Sequence, residues 1–202
     1  AKNEILAPGA GLASTAVAKY LFKRTEEARS VVLSELERLG ASPDDFKDAE
    51  QFAAAAYRFS RATRDQTADE NLRILAQAMI GLARRETLWA SEFLKYADIL
   101  GPLSRDELIV IGKLMAEDRA YHANTEVDKP KSTEPWKATL EALTQGSGPT
   151  VFPSEAHVQA IASRAQRSGL LIGVTAWNAT VYVLSPLGRE MREFVSIEDA
   201  LR

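Results

Sequence analysis

The sequence predicts a mainly α protein: a helical bundle over residues 1–103 packed on a unit over 104–202 that contains one small β-hairpin, the two forming one compact body. Three observations carry this expectation. Apolar residues recur at helical spacing through most of the chain. Two Ser/Thr-x-x-Glu capping boxes, Thr67–Glu70 and Ser104–Glu107, mark helix starts. Two short β-rich runs flank Trp177-Asn178 between helical segments.

The first helix is expected from about Ser14 to Leu39. Val17, Tyr20, Leu21, Ala28, Val31, Val32 and Leu39 form one stripe, and Gly40 supplies a stop. Arg24 and Glu35 share that stripe, where snorkelling to the rim is the simpler reading and a buried ion pair the alternative. A second helix, Asp44 to about Thr63, opens on carboxylates suited to the helix dipole and turns Phe46, Phe52, Ala53, Ala56, Tyr57 and Phe59 toward neighbours. Its other face carries Arg58, Arg61 and Arg64 at spacing three, a candidate anion patch for a phosphate or an acidic partner, although charged helical faces are usually just solvated.

A third helix starts at the Thr67 capping box and carries Leu72, Leu75, Ala76, Met79 and Leu82. Gly81 is expected to bend it near Arg84-Arg85, which reads as charge complementing a helix end, before Leu88, Trp89, Phe93 and Leu94 resume the stripe. Gly101-Pro102 ends the run. The Ser104 box opens a helix to about His122 that is apolar on more than one side and therefore central. Ala123–Thr133 reads as an exposed loop, Thr133-Glu134-Pro135 starts a short helix through Trp136, Leu140 and Leu143, and Gly146–Pro149 is a joint.

The last segment orders as helix (Ser154–Ser168), Gly169 stop, strand (Leu170–Ile172), turn, strand (Val181–Leu184), and a helix capped by Ser185 with Pro186 at its first position. This is the closing half of a winged-helix-like unit. Val158, Ile161, Ala162 and Ala165 form the buried side of its first helix, leaving Ala156, Ala160, Ser163 and Arg167 outward with Gln159 and Arg164 on the flanks. In a DNA reader, Gln159, Ser163, Arg164, Gln166 and Arg167 would contact base edges. As a partner surface, the small Ala-Ala-Ser face admits another helix closely, and Trp177 at the turn is an aromatic anchor or merely a cover for the hairpin. No Lys or Arg lies from Ser168 through Gly188, so the hairpin carries no phosphate clamp.

Arg167-Ser-Gly-Leu-Leu-Ile followed by Tyr182-Val-Leu-Ser-Pro-Leu-Gly-Arg189 resembles the ending of many bacterial winged-helix proteins. Over roughly Glu70–Val195, the helix with Leu72, Leu75 and Met79, then Phe93, Leu100 and Leu103-Ser104, then the winged segment, is similar to the Abi-alpha family of abortive-infection proteins. That resemblance implies phage defence and supplies no catalytic residues.

Composition narrows the function classes. The 202 residues carry a formal net charge of −3 and no cysteine. Lys+Arg against Asp+Glu runs 14 to 15 up to Ser104, 6 to 8 to Thr150 and 5 to 5 beyond, so no region has a basic excess for phosphate binding. The lack of cysteine excludes disulfides and thiolate sites and fits a cytoplasmic setting. Ile5–Phe22 is too diluted by Ala, Gly, Pro8 and Lys19 for a membrane anchor, so a membrane partner is not expected.

His122 and His157 lack metal-ligand spacing, Gly9-Ala-Gly11 follows no strand, and neither a P-loop nor a Gly-x-Ser-x-Gly elbow is present. Asp44, Asp45 and Asp48 read as helix-start charge. No catalytic residue, metal or cofactor is therefore assigned. The expected function is a bacterial, non-catalytic binding or regulatory module acting through protein contacts, in phage defence or stress response. The alternatives are a winged-helix DNA-binding regulator and an enzyme whose site leaves no linear motif. A protein partner is expected, DNA is the alternative partner, and self-association is compatible with either.

Overall fold

A computed structural model describes residues 9–41, 49–64, 69–84, 90–124, 133–146, 152–176 and 179–201. These residues are mainly helical, with one two-stranded antiparallel sheet.

Helix α1 spans Gly9–Arg38 and ends where Gly40 takes a left-handed φ of 59°, a conformation glycine adopts without a side-chain clash. The amide of Ala41 then donates to Leu36 O at 2.8 Å. Ala28 and Leu36 are buried, Val31 and Val32 half-buried. Glu35 does not reach the rim as the simpler reading expected. It is buried and accepts from Arg38 Nε at 2.8 Å and from Arg73 Nε, on a neighbouring helix, at 3.3 Å. A carboxylate held in an apolar stripe needs both cations, because either alone leaves part of its desolvation cost uncompensated. Arg24 lies outside the described side chains.

Helix α2 (Ala49–Arg64) buries Ala55 and Phe59, whereas Tyr57, expected to face a neighbour, is 65% exposed. Tyr57 stands two residues from both Ala55 and Phe59, about 200° around the helix, so its ring points away from the buried side. Phe46 and the side chains of Phe52 and Ala53 lie outside the described residues. Helix α3 (Asp69–Arg84) is nearly free of water from Ile74 to Ile80, and α1, α2 and the following helix pack around it. Its expected cap, Thr67, lies outside the described residues, as do Leu88 and Trp89. Gly81 sits within α3. A Cβ there would lie 2.5 Å from the Cβ of Phe194, so the position admits a neighbour's side chain.

Helix α4 (Ala90–Leu100) ends against buried Asn71, whose Nδ2 donates to the carbonyls of Leu100, Gly101 and Leu103 at 2.8, 3.2 and 2.9 Å. The carbonyls left over at a helix end are thereby satisfied inside the protein. Helix α5 (Arg105–Asn124) is central, as its apolar pattern requires. It touches α6 (Glu134–Gln145), α7 (Glu155–Ala165), β2 (Ala179–Leu184), α8 (Pro186–Arg192) and α9 (Ile197–Ala200).

The C-terminal order follows the sequence closely. Ser154 caps α7, accepting from His157 N at 3.3 Å, and Val158, Ile161, Ala162 and Ala165 form its buried side. A 3-10 turn, Gln166–Ser168, is stopped by Gly169 at φ 75°. Strands β1 (Leu171–Ala176) and β2 pair from Leu171 opposite Leu184 to Ala176 opposite Ala179. Both strands extend further toward the turn than their densest apolar runs. Leu171, Tyr182 and Leu184 face inward and Ile172 outward. Ser185 then caps α8, accepting from Gly188 N at 3.0 Å, with Pro186 leading.

Helix α9, which no periodicity marks in the sequence, begins beside a contact that joins the two predicted regions. Ser196 N donates to buried Gln77 Oε1 at 2.9 Å, and Ile197 lies over Gly112, where a Cβ would come within 2.9 Å of its Cγ2. Phe194 meets Tyr96 edge to face at 5.4 Å. One buried apolar cluster runs from Ala28 to Ala200. Among the described residues, no helix is long and apolar enough to cross a membrane.

Candidate functional site

Glu107 organises the face that the sequence singled out. The predicted capping box forms: Ser104 N donates to Glu107 Oε2 at 2.8 Å, and Glu107 N to Ser104 Oγ at 3.4 Å. The same carboxylate accepts Arg164 Nε at 3.0 Å, Arg167 NH2 at 3.0 Å and Arg167 NH1. Arg164 also reaches Ser104 Oγ at 2.9 Å, and Arg167 reaches Pro102 O at 3.2 Å. Burial alone would raise the Glu107 pKa, but the bonds from Arg167, Ser104 and Arg164 outweigh it and hold the group at about 2 instead of 4.5. Arg167 is correspondingly held more firmly in its charged form by Glu107.

Two of the five residues nominated for base contact are therefore fastened to α5. Their outer surfaces stay open, with 58% of the Arg164 side chain and 48% of the Arg167 side chain exposed.

The remaining candidates separate. Ser163 is exposed beside Ala156 and Ala160, forming the small face that the spacing predicts. Gln159 turns sideways into a groove of about 510 Å³ between α6, α7 and β2, with Trp136, Leu140 and Val181 as its apolar lining and Lys137, Glu141 and Glu155 among its polar groups. The Trp136 ring is buried against Tyr182 at 4.9 Å. Gln166 tucks beneath the hairpin, where a Cβ on Gly173 would approach its Nε2 to 2.8 Å. Trp177 lies outside the described residues. In the anion patch Arg58 is half-buried, while the side chains of Arg61 and Arg64 lie outside the described residues.

A second concavity had no counterpart in the sequence. A cleft of about 330 Å³ opens where α1, α3 and α5 meet the turn between α8 and α9, and Arg38, Arg84, Arg119 and Arg192 line it. These residues are 154 positions apart at the extremes, and only folding brings them together. Arg84, at the end of α3 as its helix-end charge predicts, also faces this cleft. It donates to Leu39 O at 2.8 Å, and Arg119 donates to the carbonyl of Arg192. Arg192 pairs with buried Asp118.

Among the described residues, no group of three or more His, Asp or Glu is placed to hold a metal ion. No protein-family model, curated protein or solved structure matches this chain.

Proposed function

We propose that the chain is a non-catalytic binding module that acts through protein contacts on the face formed by α6, α7 and β2. The observation that carries this reading is the groove beside the small face of α7, which joins apolar lining to a polar rim next to a surface that a partner helix can approach closely. The engagement of Arg164 and Arg167 by Glu107 supports it further, since a duplex would have to share both guanidinium groups with a buried carboxylate. A bacterial, cytoplasmic role in phage defence or stress response rests on the sequence likeness and the absence of cysteine alone.

A photoreactive phenylalanine analogue at Ala160 tests the contact in the native host. A crosslinked species of discrete mass is expected, absent when the probe is moved to exposed Lys95 on α4. Equal labelling from both positions sinks the reading.

Duplex DNA is the second reading, favoured by the open outer faces of the two arginines. Charge reversal at Arg164 or Arg167 would also break the Glu107 cluster, so Ser163→Glu is the cleaner variant. Salt-sensitive fluorescence-anisotropy binding to mixed duplexes, lost in Ser163→Glu, would put DNA first.

A further inference from the structure

We infer that the arginine-lined cleft between α1, α3, α5 and the α8–α9 turn is a binding site for a phosphate monoester with a small apolar body. Its four guanidinium groups are not equally compensated. Arg38 is held by Glu35 and lies 4.0 Å from Asp199, and Arg192 is held by Asp118 and Glu193. Arg84 and Arg119 donate to backbone carbonyls, and among the described residues neither is ion-paired. Along the lining itself, four guanidinium groups stand against only the carboxylates of Glu193 and Asp199, in a chain whose overall charge is negative.

Gln77 supplies the second observation. The side chain is 1% exposed, and its Oε1 is engaged by Ser196 N at 2.9 Å, which fixes the amide orientation. Gln77 lines the cleft, and its Nε2, a buried donor, has no partner among the described residues. Arg192 Nε, buried in the same wall, is likewise without one. Buried donors are almost always satisfied in folded proteins, and these two belong to residues that line one concavity, where a small side-chain shift would present them to an acceptor.

A phosphate monoester fits this chemistry on three counts. It carries close to two negative charges at neutral pH, matching the excess. Its oxygens suit forked guanidinium donors and an amide. The cavity exceeds a bare oxyanion, and Leu39, Ile80 and Phe194 give it an apolar wall for an organic body. The site shares no lining residue with the α6–α7–β2 groove, so it stands or falls independently of that reading.

Isothermal titration of the full chain with phenyl phosphate, inorganic phosphate and phenol is the test. Phenyl phosphate is expected to bind once per chain and at least about tenfold more tightly than inorganic phosphate, with phenol showing no uptake. Arg84→Gln and Arg119→Gln should each weaken phenyl phosphate at least about tenfold while leaving the circular dichroism spectrum unchanged. Gln77→Glu, which keeps the acceptor for Ser196, should abolish binding by placing an anion in the site. No saturable uptake of phenyl phosphate up to about 10 mM, or uptake undiminished by these substitutions, would overturn the assignment. Equal affinity for inorganic and phenyl phosphate would overturn the apolar body.

Discussion

Glu107 shows how one carboxylate can serve two helices. It completes the N-terminal cap of α5 and at the same time receives both arginines of the α7 segment, so that its two oxygens are occupied from both sides. Because its folded pKa lies near 2 against 4.5 when unperturbed, its contribution to stability is fully present above about pH 4.5 and drains away as pH falls toward 2. A shift of that size corresponds to about 3 kcal/mol.

Glu107→Gln should therefore lower stability at pH 7 by roughly that amount and flatten the acid limb of the denaturation profile, as measured by urea unfolding at a series of pH values. An unchanged acid limb would mean that other carboxylates control it. The cap itself was legible in the sequence because Ser-x-x-Glu is a local signal. The arginines were legible only as helix-face charges, since nothing in the sequence indicates that residues 57 and 60 positions away return to the same carboxylate. Glu35 carried a usable signal in its place within an apolar stripe, but its partner Arg73 comes from another helix.

Elements were readable in proportion to their length and to the local chemistry at their ends. The buried side of α7, the Ser154 and Ser185 caps, the Gly40 and Gly169 stops and the central place of α5 all follow from side-chain period or backbone stereochemistry, which act within a few residues. Tyr57 escaped because its ring groups it with the apolar side, although its position, two residues from both Ala55 and Phe59, lies opposite it. Helix α9 escaped because four residues complete barely one turn and show no period. Gly81 lies inside α3, which runs on to Arg84, and it makes room for Phe194, a contact between distant segments.

Asn71 provides the element-scale prediction. Asn71→Leu keeps the volume but removes the donor that serves three carbonyls at the α4–α5 turn. A loss of about 3 kcal/mol is expected in denaturant unfolding, at the upper end for leaving buried acceptors unmet. A loss near zero would mean that water replaces the amide.

Across the whole molecule, the boundary drawn near residue 104 is crossed by the packing. Phe194 against Gly81 and Tyr96, and Ser196 N on Gln77 Oε1, tie the predicted regions into one buried cluster. Calorimetry should show a single transition with equal calorimetric and van't Hoff enthalpies. Gly81→Val should lower the midpoint, because the added carbons must displace Phe194, at a cost of about 1–3 kcal/mol. Two separate transitions would overturn the expectation of one compact body. The arginine cleft belongs to this scale too. Its lining comes from both sides of the boundary, which is why composition by region, neutral to slightly acidic, concealed a local cluster of arginines.

Helix α9 also bears on the order of events in folding. It follows in sequence every element it docks on, and contacts such as Arg73 to Asp199 close a loop of 126 residues. Loop closure on that scale is entropically costly and is rewarded only after α3 and α5 present a finished surface, so docking belongs late, beyond the rate-limiting barrier. The Ile197→Ala variant should then refold at nearly the native rate and unfold about thirtyfold faster or more, the kinetic signature of a clasp fastened after the body has formed.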